Sequence, residues 1–390
     1  MSSTLGAPLG ATGSSGHHGV ESLQSRPMTP SNRRAMAGSL PQGGPLTRCW
    51  PRNAGVKLGL QLGYWGAQPN PFAVALAQEA EQLGFDSVWT AEAWGSDAFT
   101  PLAWIGAHTE TIRLCTGIVQ ISARTPASCA MHALTLDHLS SGRFSLGLGV
   151  SGPQVVKGWY GQPFAKPLAR TREYVDIVRR VLRREEPVAF AGEHFRMPYD
   201  GPGAWGLGKP LRSITHPLRA DLPILLGAEG PKNVALAGEI ADGWLPLYYS
   251  PFRPEVYAES LGAVRPGFEI CVTVMGCSIT DDVEAGLMPT KAALAFYIGG
   301  MGARDRNFHM ELMSRMGFEG EAHRIQKLFF EGRRDEAIPL VPTEFADEIS
   351  LVGSKERIRD RLEAWEASPV TSIVINGDLD TLRTMAELVN

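Results

Sequence analysis

RFSLGLGVSGPQVVKGWYG, Arg143 to Gly161, is the stretch on which the reading of the chain turns. It begins as a strand: Phe144, Leu146, Leu148 and Val150 alternate with small residues, the period-two pattern of an extended segment. It then opens into the loop Ser151-Gly152-Pro153. Glycines 147, 149 and 152 let the backbone approach a bulky group and leave amide N–H groups bare. At the C-terminal end of a buried strand, bare amides suit an anionic group. Trp159 and Tyr160 follow at once and offer flat walls for a ring. Strand glycines also serve merely to relieve packing between a sheet and a helix. On this loop alone the two readings stand level.

The flanking chain alternates strand and helix. Val56–Leu62, Phe85–Ala91 and Ile112–Ile121 read as the first three strands, and Arg143–Val150 as the fourth. Leu222–Leu226, Asp242–Leu247, Phe268–Ile279 and Val370–Ile375 read as the remaining four. Pro71–Leu83, Pro126–Leu139, Pro167–Arg184 and Pro231–Ile240 are expected helices, with proline at the favoured first position. Ser354 caps a further helix whose Ile358, Leu362 and Trp365 share one face. Eight apolar strands, mostly followed by helices, are the plan of an α/β TIM barrel. A doubly wound open sheet needs fewer strands and usually a GxGxxG after the first, which is absent. Two stretches exceed simple connectors: 189–218, read as a functional flap or insertion, and 281–345, read as a mostly helical insertion over the barrel mouth.

Residues 1–54 differ from the rest. They are rich in Ser, Gly and Pro, carry five arginines against the single acid Glu21, and lack apolar periodicity. They read as a disordered, non-essential extension, with Met28 and Met36 as alternative starts. Arg33-Arg34 is not followed by the apolar core of a twin-arginine signal. Residues 55–390 read as one barrel domain.

Of the 390 residues, 44% are hydrophobic and 20% charged, which fits a globular fold. A net charge of −4 gives no pull toward nucleic acid, and no run of about 18 apolar residues spans a membrane. Five cysteines without a CxxC read as buried free thiols in a reducing, cytoplasmic setting. The expected partners are a small-molecule substrate and, for assembly, a second copy in a homodimer.

In a TIM barrel the site lies at the C-terminal strand ends. Those ends present Gly63, Tyr64 and Trp65; Glu92, Trp94 and Asp97; Gly117, Ile118 and Gln120; Val150, Ser151 and Gly152; and Gly227 to Pro231. The set is rich in glycine and aromatics and poor in acid–base groups. It contains no metal constellation, no Ser–His–Asp arrangement and no P-loop. Such a site suits a bound cofactor that carries the chemistry itself. In GAEGPKNVALAGEIADGW (Gly227–Trp244) a glycine-rich turn enters a helix at Pro231, which makes an anion site, and Lys232 adds a cation. The plainer alternative is a strand-to-helix turn that simply needs glycine.

TGIVQISARTP, GRFSLGLGVSGPQVVKGWYG, ILLGAEGPKNVALAGEIADGWLP and EISLVGSKERIRDRLEAW together resemble the luciferase-like monooxygenase superfamily. Within it they resemble most the oxidoreductases that use the deazaflavin coenzyme F420, and YIGGMGARDRNF resembles one subgroup of these. The resemblance covers about residues 56–386. It implies hydride transfer between coenzyme F420 and a small organic substrate. FMN-dependent monooxygenation and non-catalytic cofactor binding are the competing functions. It implies a cis peptide at Gly117-Ile118 backing the cofactor ring. It also implies phosphate seating on Val150-Ser151-Gly152 and Ala228-Glu229-Gly230-Pro231. Several deazaflavin enzymes of the family place a histidine beside the carboxylate that ends strand two. Here that pair is Glu92-Ala93, so Glu92 remains as the catalytic candidate and the histidine position is vacant. His108 and His216 are the candidates to fill it, each more readily read as structural or surface. Arg304, Arg306 and Arg333 in the second insertion are candidates to attract the coenzyme's glutamate tail, against simple pairing with neighbouring acids.

Overall fold

The computed structural model describes residues 55–302 and 307–389. The N-terminal extension, with its expected disorder and dispensability, and the Arg304-Asp305-Arg306 cluster lie outside the described residues.

In chain order the strands are β1 (Lys57–Gly63), β2 (Ser87–Thr90), β3 (Arg113–Thr116), β4 (Val119–Gln120), β5 (Phe144–Gly149), β6 (Phe190–Ala191), β7 (Arg196–Met197), β8 (Ile224–Gly227), β9 (Gly243–Leu245), β10 (Glu269–Thr273), β11 (Cys277–Ile279), β12 (Leu351–Gly353) and β13 (Ser372–Ile375). Parallel pairing runs β13–β1–β2–β3–β5–β8–β9–β10 and returns from β10 to β13. The sheet therefore closes on itself with eight staves, β3 and β4 sharing one. This is the TIM barrel that the alternation of elements implies.

Closure buries the strands on both faces, which is why they read as apolar runs. All six residues of β5 are buried. Trp89, Cys115, Leu225, Cys271 and Val374, joined by Leu245, pack together as a layer drawn from six staves. Outside, one continuous core joins the staves to the helices. Thr125 caps the Pro126–Leu139 helix through its side chain, which accepts from Ser128 N, and Pro126 takes the first position. Ser354 caps the Lys355–Glu366 helix in the same way, with Ile358, Leu362 and Trp365 buried.

Three expectations are corrected. The third strand is not continuous from 112 to 121: a cis peptide at Gly117-Ile118 divides it into β3 and β4. The break is bonded to its neighbours. Gly117 N donates to Thr90 O (2.7 Å), Glu92 N donates to Ile118 O (3.0 Å), and Gly147 N donates to Thr116 Oγ1 (2.8 Å). The apolar run 268–279 likewise divides. β10 stays in the barrel, whereas β11 leaves it and pairs in parallel with β12, a short strand that the sequence pattern does not reveal. Between β11 and β12 lies the second insertion, helical as expected, from Val283 to Glu348. The stretch 189–218 is an insertion but no flap over the site. It forms the β6–β7 hairpin and a loop bound to the outer helices: Glu173 accepts from the amides of Glu193, His194 and Phe195, and His138 Nε2 lies 2.8 Å from His216 O.

Candidate functional site

A cavity of about 1040 Å³ opens at the C-terminal ends of the staves. It is lined from strand ends by Tyr64, Glu92, Gln120, Val150, Ser151 and Gly152, and by Gly227 through Pro231. Eight of the ten candidate residues from the sequence are thus brought together: Glu92, Val150, Ser151, Gly152, Ala228, Glu229, Gly230 and Pro231.

Two strand ends present backbone amides to the cavity without partners. Among the described residues, the amides of Ser151, Gly152, Glu229 and Gly230 donate to no protein acceptor. Ser151 has φ 62°, a left-handed conformation that turns successive amides toward one side. The Pro231–Ile240 helix begins at Gly230, and its positive end adds to the same field. Lys232 lines the cavity beside it. A Cβ at Gly230 would meet nothing within 4 Å, and one at Gly152 only the Gln154 Oε1 at 3.1 Å. Packing therefore does not require either glycine. Gly147 and Gly149 are the opposite case: a Cβ would strike the Thr116 carbonyl at the first and the Ile118 side chain at the second. The packing reading of the opening stretch therefore holds for Gly147 and Gly149 and does not account for Gly152.

Gly117 and Ile118 are not in the cavity lining. They lie beneath it, where the Ile118 side chain fills the space that Cβ atoms on Gly149 and Gly227 would take and Gly117 backs onto the Trp89 ring. Glu92 is buried and its carboxylate is engaged. Oε1 pairs with Arg124 Nη2 (2.6 Å), and Oε2 accepts from Gln120 N (2.9 Å). Gln120 Nε2 donates to the carbonyls of Glu92 (3.2 Å) and Ala93 (2.9 Å), which leaves Gln120 Oε1 buried and without a partner. Glu92 is accordingly a fixed anion at the wall of the cavity, clamped by Arg124.

The insertion supplies the opposite wall through Tyr297, Met301, Phe308, His309 and Glu311, with Trp94 and Trp159 adding indole surface. Tyr160, Trp65 and Asp97 stay out of the lining. His309 was not foreseen: it lies in an insertion without strand-end register, and its sole local signal is Asn307, which caps the helix carrying it. His108 and His216 do not approach the cavity; His108 Nδ1 lies 2.7 Å from Trp104 O on the surface. Trp205, 88% exposed, is also remote from the lining. Arg333 pairs with Glu331 and Glu336 outside the lining, so the plainer reading holds for it.

Among the described residues no group of acidic, His or Cys side chains is placed to hold a metal, and no helix is long and apolar enough to cross a membrane. The four described cysteines are free, and burial pushes the Cys129 thiol up to about 11 and the Cys115 thiol to about 12, which makes neither a nucleophile.

The cavity thus combines unpartnered backbone amides at two strand ends with indole surface from Trp94 and Trp159. The family described as luciferase-like monooxygenase matches residues 58–372. A Mycobacterium tuberculosis (strain ATCC 25618 / H37Rv) protein named "Putative coenzyme F420-dependent oxidoreductase" is 57% identical over 346 residues, covering 86% of this chain and 99% of that protein. The structure of coenzyme F420-dependent tetrahydromethanopterin reductase from Methanopyrus kandleri superposes with a TM-score of 0.69 at 23% identity, over 86% of this chain and 99% of that one. An F420-dependent secondary alcohol dehydrogenase superposes with a TM-score of 0.63 at 18% identity, over 86% and 98%. At these identities the two structures speak for the fold.

Proposed function

Because the chain belongs to the luciferase-like monooxygenase family, we propose that it is an oxidoreductase that binds coenzyme F420 and passes a hydride between that coenzyme and a small organic substrate. The observation that carries the reading is the double cradle of free amides at Ser151-Gly152 and Glu229-Gly230. When bound, the coenzyme supplies the two-electron chemistry. The chain's own part is positional. The cradle and Lys232 hold the phosphate. Ile118 and Gly117, packed beneath the cavity, would support the ring from below. Glu92, fixed by Arg124 at the wall of the cavity, would orient a polar edge of the ring. Trp94, Trp159, Met301 and Phe308 exclude water and give the substrate an apolar surround. At about 1040 Å³ the cavity lies at the upper end of the range for a single ligand, which leaves room for a second molecule beside the cofactor.

Titration of the purified protein with coenzyme F420 and, separately, with FMN tests the reading. Tight F420 binding with weak FMN binding is expected, followed by turnover of the bound coenzyme with a panel of alcohols, aldehydes, ketones and enones. Preference for FMN would replace F420 chemistry with flavin chemistry on the same scaffold. Tight binding with no turnover across the panel would make the protein a carrier.

A further inference from the structure

Glu92 is engaged by Arg124, so it is poorly placed to exchange protons with a substrate. Across the cavity stands a different pair. His309 Nδ1 lies 2.9 Å from Glu229 Oε2, but the two are misaligned, so both atoms are buried without a hydrogen-bond partner. Nε2 has no protein partner among the described residues, and the ring forms part of the cavity wall. Its position is set by packing. The ring lies against Tyr297 (centroids 5.1 Å) and Tyr248 (5.8 Å), both edge-on, and Asn307 Oδ1 accepts from His309 N (3.0 Å). The backbone at Glu229 is held in turn, its carbonyl accepting from Arg315 Nη2 (2.9 Å).

We infer that Glu229 and His309 form a proton-exchanging dyad, with His309 Nε2 the atom that takes a proton from, or returns one to, the substrate. The inference rests on the hydride-transfer reading for its chemistry, although the dyad's geometry does not. At 2.9 Å a small turn of the ring would let the carboxylate accept from Nδ1–H, which fixes the neutral ring in that tautomer and leaves the Nε2 lone pair toward the cavity. For a substrate H–C–X–H, Nε2 takes the proton of X–H, the C–H hydrogen leaves with its electron pair to the oxidised coenzyme, and the C=X bond forms. In reverse, Nε2–H protonates X as the hydride arrives at carbon. The substrate class is therefore one whose oxidation state changes at a carbon bearing a protic heteroatom, with an apolar body against Phe308, Met301 and Trp159. The groups facing the imidazole are consistent with this role. Glu311 lies on its own helix and lines the cavity, Arg315 is engaged by Glu229 O, and burial pushes the Tyr248 and Tyr297 phenols above their ordinary range, so both stay neutral.

The full chain without cofactor, labelled with 15N in its imidazoles, gives the first test. NMR of the neutral ring is expected to show the Nδ1–H tautomer at His309, shifting toward Nε2–H in Glu229→Ala. An Nε2–H tautomer in the unmutated protein overturns the dyad. A purely structural imidazole is distinguished by reactivity. Diethyl pyrocarbonate, followed by mass spectrometry, is expected to label His309 along with exposed His108 and His323, and a bound cofactor should protect His309 alone. An unlabelled His309 beside labelled controls overturns the inference. A labelled His309 that neither F420 nor FMN protects supports the dyad and counts against the cofactor reading, so the two failures are separable. With any substrate that turns over, His309→Gln should lower kcat on the order of 10²-fold with coenzyme Kd unchanged. Parallel loss of both overturns the proton role.

Discussion

Gly147 and Gly152, five positions apart, separate the demands of packing from those of binding. At Gly147 any side chain meets the Thr116 carbonyl, a backbone atom that cannot swing away. Gly147→Ala is expected to destabilise the barrel by about 1–3 kcal/mol, read as a fall in Tm. At Gly152 the neighbour is the flexible end of Gln154, so Gly152→Asp should leave Tm unchanged while placing a carboxylate in the anion cradle. Cofactor affinity is then expected to fall by about tenfold or more, with a smaller loss at high salt. A collapse of Tm at unchanged affinity would show the loop to be structural. Glu92 presents a third case. Removing one partner of a buried ion pair leaves the other charge uncompensated, so Glu92→Ala should cost about 3–5 kcal/mol through Arg124, measurable by denaturant unfolding even without cofactor. The strand-end residues were legible because the barrel plan fixes which end carries the site. The engagement of Glu92 was not, because Arg124 lies 32 positions away on the next connection.

At the scale of elements, one carboxylate fastens the entry to β3. Glu81, near the end of the Ala73–Gln82 helix, accepts through Oε1 from the amides of Glu110 (2.9 Å), Thr111 (2.6 Å) and Ile112 (2.8 Å). Partial burial alone would raise its pKa, but these bonds outweigh it and hold the carboxyl below its ordinary 4.5. A depressed folded-state pKa stabilises the fold above the unfolded value and ceases to do so as pH falls through the folded one. Glu81→Gln should therefore cost about 1 kcal/mol at neutral pH, with the gap to the unmutated protein closing below pH 4.5. A gap independent of pH would assign the effect to shape. Helices with a proline at the start or a side-chain cap were readable, because their signals are local. The divided strands were not. An apolar run shows that a segment is buried, but not which neighbour it pairs with, so the departure of β11 from the barrel stayed hidden within 268–279. The 189–218 stretch failed for a related reason: length marks it as more than a connector, but not which face it covers.

For the whole molecule, the barrel is complete without anything before its first stave, since β1 closes against β13 and β2. A chain of residues 55–390 is accordingly expected to unfold at the same Tm and bind cofactor with the same Kd as the full sequence, measured side by side. Loss of either would make the N-terminal segment a working part. The closed architecture was legible from the count of strands. One wall of the cavity was not, because Tyr297, Met301, Phe308 and His309 come from an insertion whose helices have no fixed register with the staves. The way that insertion is mounted has a further consequence. It leaves from β11 and returns through β12, and these pair in parallel, Cys277 with Leu351 and Ile279 with Gly353. Adjacent strands stand about 4.8 Å apart, so departure and return share one small anchorage outside the ring of staves. Such a mounting behaves like the collar of an interchangeable lens. The segment between can lengthen, shorten or change its lining across descendants without shifting a single barrel register. Change in the cavity wall that the segment supplies can then proceed while the strand ends beneath stay as they are.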